Sequence, residues 1–291
     1  MQVLVCGRHG QLATALAQQI PAGFDVCFYS SAELNITDAA ALESVLADLK
    51  PAWLINAAAY TAVDKAESDI GAAFAVNAYG VENLARWCAQ HGTRMLHVST
   101  DFVFDGQSTT PYPVDAAPAP LNIYGQSKLA GEQAVLRILP DALVIRCGWL
   151  YSAQGQNFVK TMLRLMTERD ELNVVNDQRG VPTSVDSLAD IVWRCVADGG
   201  VRGIQHWADG GSASWYEFAL EIARQAYATG LIKDLPRINA IGTAQYPTAA
   251  KRPAYSVLAN DFLPEYFSLV VRPWQLALGD VLQDIKRKQN A

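Results

Sequence analysis

Five short runs rich in Val, Ile and Leu recur along the first half of the chain: QVLVC at 2–6, DVCFY at 25–29, WLIN at 53–56, RMLHVS at 94–99 and ALVIRC at 142–147. Helical patterns at about 11–20, 38–49, 70–90 and 122–137 separate them. A strand that is apolar on both faces needs cover on both, and strands alternating with helices run parallel. The order therefore predicts an α/β fold, a Rossmann-like doubly wound parallel sheet with its ligands at the carboxyl ends of the strands. Beyond residue 150 the alternation loosens into helices at about 156–169, 185–198, 215–228 and 275–288, with strands near 172–175 and 203–207. Segments such as GTAQYPTAAKRPAY carry the turn chemistry of loops. The expected division is a cofactor-binding domain over 1–150, to which parts of 173–202 return, and a smaller α/β carboxyl-terminal substrate region of 151–172 and 203–291.

Charge and composition exclude several classes of partner. Acidic residues outnumber basic ones 29 to 23, and no run of Lys or Arg forms the stripe that a phosphate backbone requires, so no nucleic acid is expected. The opening MQVLVCG has no basic leader, and no apolar run nears the roughly 20 residues that span a bilayer. The expectation is a cytoplasmic protein without a membrane partner. Cys6, Cys27, Cys88, Cys147 and Cys195 are odd in number and lack any C-x-x-C pairing, which fits buried thiols in a reducing compartment. His9, His91, His97 and His206 show no ligand spacing, so no metal site built from protein ligands is expected.

Directly after the first strand comes GRHGQLA, residues 7–13. Glycines allow a tight turn and close approach of the backbone to a pyrophosphate, and a helix amino terminus offers free N–H groups to the anion. Gly7, Gly10, Gln11 and Leu12 are the candidates to hold a dinucleotide; an ordinary strand-to-helix turn is the alternative. The second strand ends in FYSSAEL, with Ser30 and Ser31 where NAD-specific enzymes place an acid. Arg8 in the turn offers a partner to a 2′-phosphate. NADPH is the expected cofactor, and Glu33 keeps NADH as the alternative.

The stretch NIYGQSKLAGEQAV sets Tyr124 and Lys128 one helical turn apart, hence on one face. An ammonium beside a phenol lowers the phenol's pKa, which makes the pair a candidate general acid for a carbonyl oxygen receiving hydride at carbon. An amphipathic helix is the other reading. Ser99, Thr100 and Asp101 end the fourth strand, where a hydroxyl can help polarise the same carbonyl.

Together these residues resemble the extended short-chain dehydrogenase/reductases, and among them the dTDP-4-dehydrorhamnose reductase family. The likeness runs through GRHGQLA, NAAAYTAVDKAE, HVSTDFVFDG, APLNIYGQSKLAGE, GWLYSAQGQNFVKTML, NDQRGVPT and KRPAYSVL. It implies a catalytic triad of Thr100, Tyr124 and Lys128, with Tyr124 the proton donor and Lys128 also holding the nicotinamide ribose. It further implies that Ala58, Ala59, Tyr60 and Thr61 line the cofactor, with Asn35 and Ile36 beside the adenosine. Asp101, Trp149 and Arg252 would meet a dTDP-sugar substrate, the indole as an apolar platform, although Trp149 also fits ordinary core.

Three positions depart from the family pattern. Ala13 stands where glycine is usual, and Asn35 where aspartate is more frequent. Ala15 replaces a carboxylate through which some relatives dimerise around magnesium, so a monomer or weak homodimer without magnesium is expected. Rival readings within the same fold are a nucleotide-sugar epimerase and a non-catalytic NADP-binding regulatory subunit. A dehydratase is disfavoured because Phe102 stands where those enzymes carry glutamate.

Overall fold

The computed structural model describes residues 1–46 and 49–289. Its centre is a six-stranded sheet built from β1 (Gln2–Cys6), β2 (Asp25–Tyr29), β3 (Trp53–Asn56), β4 (Arg94–Thr100), β5 (Leu143–Cys147) and the strand Gly203–His206. The spatial order is Gly203–His206, β5, β4, β3, β1, β2, and every pairing is parallel. The predicted Rossmann-like architecture is therefore the one observed.

Alternation along each strand sorts the core into two layers. Val3, Val5, Ile55, Leu96 and Ile145 pack under α1 (Gln11–Gln18) and the helix Val185–Asp198, whose Trp193 donates its indole N–H to the Leu16 carbonyl at 3.1 Å. Leu4, Leu54, Met95 and Val144 face the other way, onto α2 (Ala39–Leu46) and the helices Val81–His91 and Ile123–Ile138. A third apolar cluster joins the helices Phe158–Glu168, Trp215–Thr229 and Trp274–Gln289 around Phe218 and Leu278.

Several elements differ from the reading above. The helix expected over 38–49 is described over Ala39–Leu46, and positions 47 and 48 lie outside the described residues. The expected helix at 70–90 is interrupted by a π-helical turn at Ala75–Gly80, a local widening that periodicity does not reveal. Gly203–His206, read as the start of the substrate region, pairs with β5 as the edge strand of the main sheet. A strand at Arg237–Ile241 was not anticipated; it pairs in parallel with Glu171–Val175, and its half-exposed residues give no strong apolar signal. Among the described residues no helix is long and apolar enough to cross a membrane, no three His, Cys, Asp or Glu side chains cluster for a metal, and the five cysteines are unbonded.

One ion pair is buried within this fold. Glu132, on the helix Ile123–Ile138, accepts three hydrogen bonds of 2.7–3.2 Å from the Arg146 guanidinium of β5, both side chains being almost wholly buried. Phe104 stacks beneath Arg146, its ring 5.2 Å from the guanidinium carbon. Removing one partner strands a buried charge. Glu132→Leu is thus expected to cost about 3–5 kcal/mol in denaturant unfolding, and Glu132→Leu combined with Arg146→Met to recover most of the loss. A single-variant cost below about 1 kcal/mol would be the surface-pair value and would refute this assignment.

Candidate active site

The order of strands reverses direction between β1 and β3, the position outside whose carboxyl ends open α/β sheets bind their ligands. Gly7 closes β1 with φ +96°, and a Cβ there would lie 2.8 Å from the Ala57 carbonyl carbon and the Ala58 nitrogen. Only glycine fits both the backbone angle and the approach. Gly10 caps α1 and donates its N–H to the Gly7 carbonyl at 2.8 Å. The Leu12 side chain enters the core, so the group Leu12 has to offer at the start of the helix is its main-chain N–H. Gln11 turns its side chain the other way, its Oε1 accepting from Ser152 Oγ and Asn157 Nδ2 at 2.8 Å each.

Beside the turn, Arg8 pairs with Glu33 at 3.0 Å, both half in solvent. Glu33 also accepts from the Ser30 N–H and hydroxyl at 2.8 and 2.7 Å, and these bonds hold its carboxyl below the usual range. Asn35 is exposed and uses its side chain to accept from Thr37. Ile36 is buried against Gly80, 5% exposed, which leaves little of its side chain to meet a ligand. Ala58, Ala59 and Tyr60 are half-buried after β3; Tyr60 donates its backbone N–H to Asn77 Oδ1 at 2.8 Å. Asn77, on the π-helical turn, also donates to the Tyr60 carbonyl and to Ser127 Oγ, each at 3.0 Å.

Thr100 ends β4 and caps the short turn Asp101–Val103 by accepting from the Phe102 N–H at 3.2 Å. The helix Ile123–Ile138 begins at Asn122, whose side chain accepts from the Gly125 N–H at 2.7 Å, while Glu67 accepts from the Ile123 N–H at 2.8 Å. Gly125 and Gly131 are its contact points, since a Cβ would strike the Phe102 carbonyl at one and the Asn77 carbonyl at the other. This docking sets Tyr124 against the end of β4, its ring edge-on to Phe102 at 5.9 Å.

The electrostatics of the pair differ from the sequence expectation. Burial pushes the Tyr124 phenol well above its ordinary pKa; the Thr100 hydroxyl works against this, and Cys147 and Asp101 add to it. Lys128 points inward, donating to the Val98 carbonyl at 2.7 Å with its Nζ 3.3 Å from His97 Nε2. Burial lowers its pKa to about 8. Asp101 is buried, accepts from Thr100 Oγ1 at 3.1 Å, and is pushed up to about 6 by the same desolvation. A protonated phenol beside a hydroxyl, at the mouth of a crevice with a phosphate turn, can donate a proton to an oxygen anion.

Trp149 follows β5 with φ +50°, rare for a bulky residue, and stacks flat on Trp215 with ring centroids 3.4 Å apart. One indole face is therefore taken. Arg252 forms a two-pronged pair with Asp64 at 3.0 and 2.7 Å, so its guanidinium is engaged by protein. Asn56, Asn77 and Ser127, which the sequence analysis does not single out, and His97, which it weighs only as a metal ligand, are all buried beneath the site. A polar residue inside an apolar run, such as the Asn of WLIN or the His of RMLHVS, was the available signal.

Comparison with known proteins places the chain in a family. A family model described as RmlD substrate binding domain matches residues 1–287. A dTDP-4-dehydrorhamnose reductase of Aggregatibacter actinomycetemcomitans is 39% identical over 287 residues, spanning 96% of this chain and 98% of the relative. The crystal structure of a dTDP-4-dehydrorhamnose reductase from Clostridium acetobutylicum superposes with a TM-score of 0.92 at 36% identity, covering 98% of this chain and 100% of that one. Another, from Bacillus anthracis in complex with NADP, gives 0.90 at 33% identity, covering 97% and 99%. The chain belongs to the dTDP-4-dehydrorhamnose reductases, a family of oxidoreductases.

Proposed function

We propose that this protein uses NADPH to reduce the C4 keto group of dTDP-4-dehydro-L-rhamnose, giving dTDP-L-rhamnose. The observation that carries the reading is the placement of Tyr124 and Thr100 at the carboxyl end of β4, across from the Gly7 turn at the reversal of the sheet. Hydride leaves the nicotinamide for C4, and the carbonyl oxygen gains the negative charge. The Tyr124 phenol gives that oxygen its proton, while the Thr100 hydroxyl turns from Asp101 to donate to the same oxygen. A raised phenol pKa suits this direction, because the donor stays protonated until an alkoxide forms. Lys128 holds the nicotinamide ribose and supplies positive charge beneath the site.

The Rossmann part binds the cofactor and the carboxyl-terminal helices bind the sugar nucleotide. Pyrophosphate sits on the N–H groups of Gln11 and Leu12, with Gly7 and Gly10 allowing its approach. The adenosine lies by Asn35 and the main chain of Ile36, and the nicotinamide side passes Ala58, Ala59 and Tyr60. Asp101, Trp149 and Arg252 are proposed for the sugar and its diphosphate, which requires Arg252 to exchange its Asp64 partner. A nearby keto-sugar of the same dTDP series remains the alternative substrate. Arg8 meets the 2′-phosphate of NADPH by leaving Glu33.

Tyr124→Phe is expected to lower kcat by about 10²–10⁴-fold with NADPH affinity nearly unchanged, read by loss of NADPH absorbance and by fluorescence titration. Full turnover in that variant would remove Tyr124 as the donor. Arg8→Ala is expected to raise KM for NADPH at least about tenfold, the scale of one lost charge-assisted contact, and to leave KM for NADH almost as it was. Equal changes for both cofactors would detach Arg8 from the 2′-phosphate.

A further inference from the structure

Lys128 has a neighbour that the proposed reaction does not use. Its Nζ to His97 Nε2 distance of 3.3 Å is long beside its 2.7 Å bond to the Val98 carbonyl, and long for a charge-assisted bond, which runs about 2.7–2.9 Å. His97 is fully buried, and its other ring nitrogen, Nδ1, lies 3.1 Å from Asn56 Nδ2. The Asn56 amide is oriented one contact further on, because its Oδ1 accepts from the Ala58 N–H at 3.1 Å. Asn56 therefore faces the ring with a donor. A donor at Nδ1 leaves that nitrogen bare and puts the ring proton on Nε2, toward Lys128.

We infer that Asn56 and His97 are positioning residues that present a ring N–H to Lys128, favour its neutral amine, and leave its charged form held by the Val98 carbonyl alone. The inference deepens the reductase reading and rests on it for the role of Lys128. Doubly protonated His97 is excluded by its burial and by the nearby Lys128 charge, which hold its pKa well below the ordinary value. Glu132 and Cys147 act on Lys128 through their charge, and the titratable groups on the elements around it are as follows. On its own helix stand Tyr124 and Glu132, the latter committed to Arg146; on β5 stand Arg146 and Cys147; Asp101 follows β4. The π-helical turn packed on this helix contributes the uncharged Asn77.

Lys128 titrates at about 8, burial outweighing the opposing effects of Glu132 and Cys147. With charged Lys128 as the working form, kcat/KM for NADPH-dependent reduction falls as pH rises through that value. Asn56→Asp keeps the shape and the Ala58 contact but places an acceptor at Nδ1. The ring proton then moves to Nδ1, Nε2 becomes an acceptor for the ammonium, and the alkaline limb moves upward by about one pH unit or more. A folded Asn56→Asp variant whose limb stays in place overturns the inference.

The ring itself can be read without substrate. Nitrogen NMR of the protein labelled with ¹⁵N-histidine should find His97 with a bare Nδ1 and a protonated Nε2 at neutral pH; the opposite tautomer overturns the inference even if Asn56→Asp fails to fold. A wild-type protein that binds NADPH but reduces no dTDP-keto-sugar counts against the reductase reading alone, and the tautomer still decides this one.

Discussion

Lys128 and Glu132 sit one turn apart on the face that the helix Ile123–Ile138 turns toward the sheet, and the site is arranged around burying those two charges. A charge taken out of water needs partners at close range. Arg146 answers Glu132 from β5, while the Val98 carbonyl answers Lys128 from β4. Close docking makes this workable, and the glycines at 125 and 131 allow it. The same docking delivers Tyr124 to Thr100. The polar layer under the helix and the placement of Tyr124 at the end of β4 are thus consequences of one packing event.

A second constraint ties the Gly7 turn and the helix Ile123–Ile138 to the carboxyl-terminal part of the chain. Gln11 reaches from α1 to Ser152 and Asn157, the latter capping the helix Phe158–Glu168. Asn122 donates to the Lys251 carbonyl at 2.9 Å, and Asp64 grips Arg252 while accepting from the Ala250 N–H. Ser152 and the Lys251–Arg252 loop therefore reach the cofactor edge of the sheet through side chains. These bonds join the first-turn and donor-helix elements of the sheet to the carboxyl-terminal part.

Much of this was legible in the sequence because burial on two faces leaves a plain trace. QVLVC, WLIN and ALVIRC read as central strands, and GRHGQLA read as the turn at the first of them. The Tyr124 and Lys128 spacing also gave a shared helical face. It did not give direction: Lys128 leans away from the phenol onto Val98 and His97, contacts set by strand register rather than spacing. Ile36 was read beside the adenosine but is mostly core, since its alternation with exposed Asn35 shows only after Gly80 packs on it. The Glu132–Arg146 pair joins a helix to a strand, and no local pattern announces such a contact. The strand Arg237–Ile241 is recognisable only through its partner Glu171–Val175.

The proposed reaction passes hydride from a nicotinamide to C4 of a dTDP-linked keto-sugar. The most direct test follows the label: NADPH deuterated at the transferable C4 position of its nicotinamide is incubated with the protein and dTDP-4-dehydro-L-rhamnose, and the sugar product is examined by NMR and mass spectrometry. The account predicts one deuterium at C4 of dTDP-L-rhamnose and one oxidised cofactor for each sugar formed. Deuterium retained in the cofactor, or a changed sugar without deuterium at C4, would contradict it.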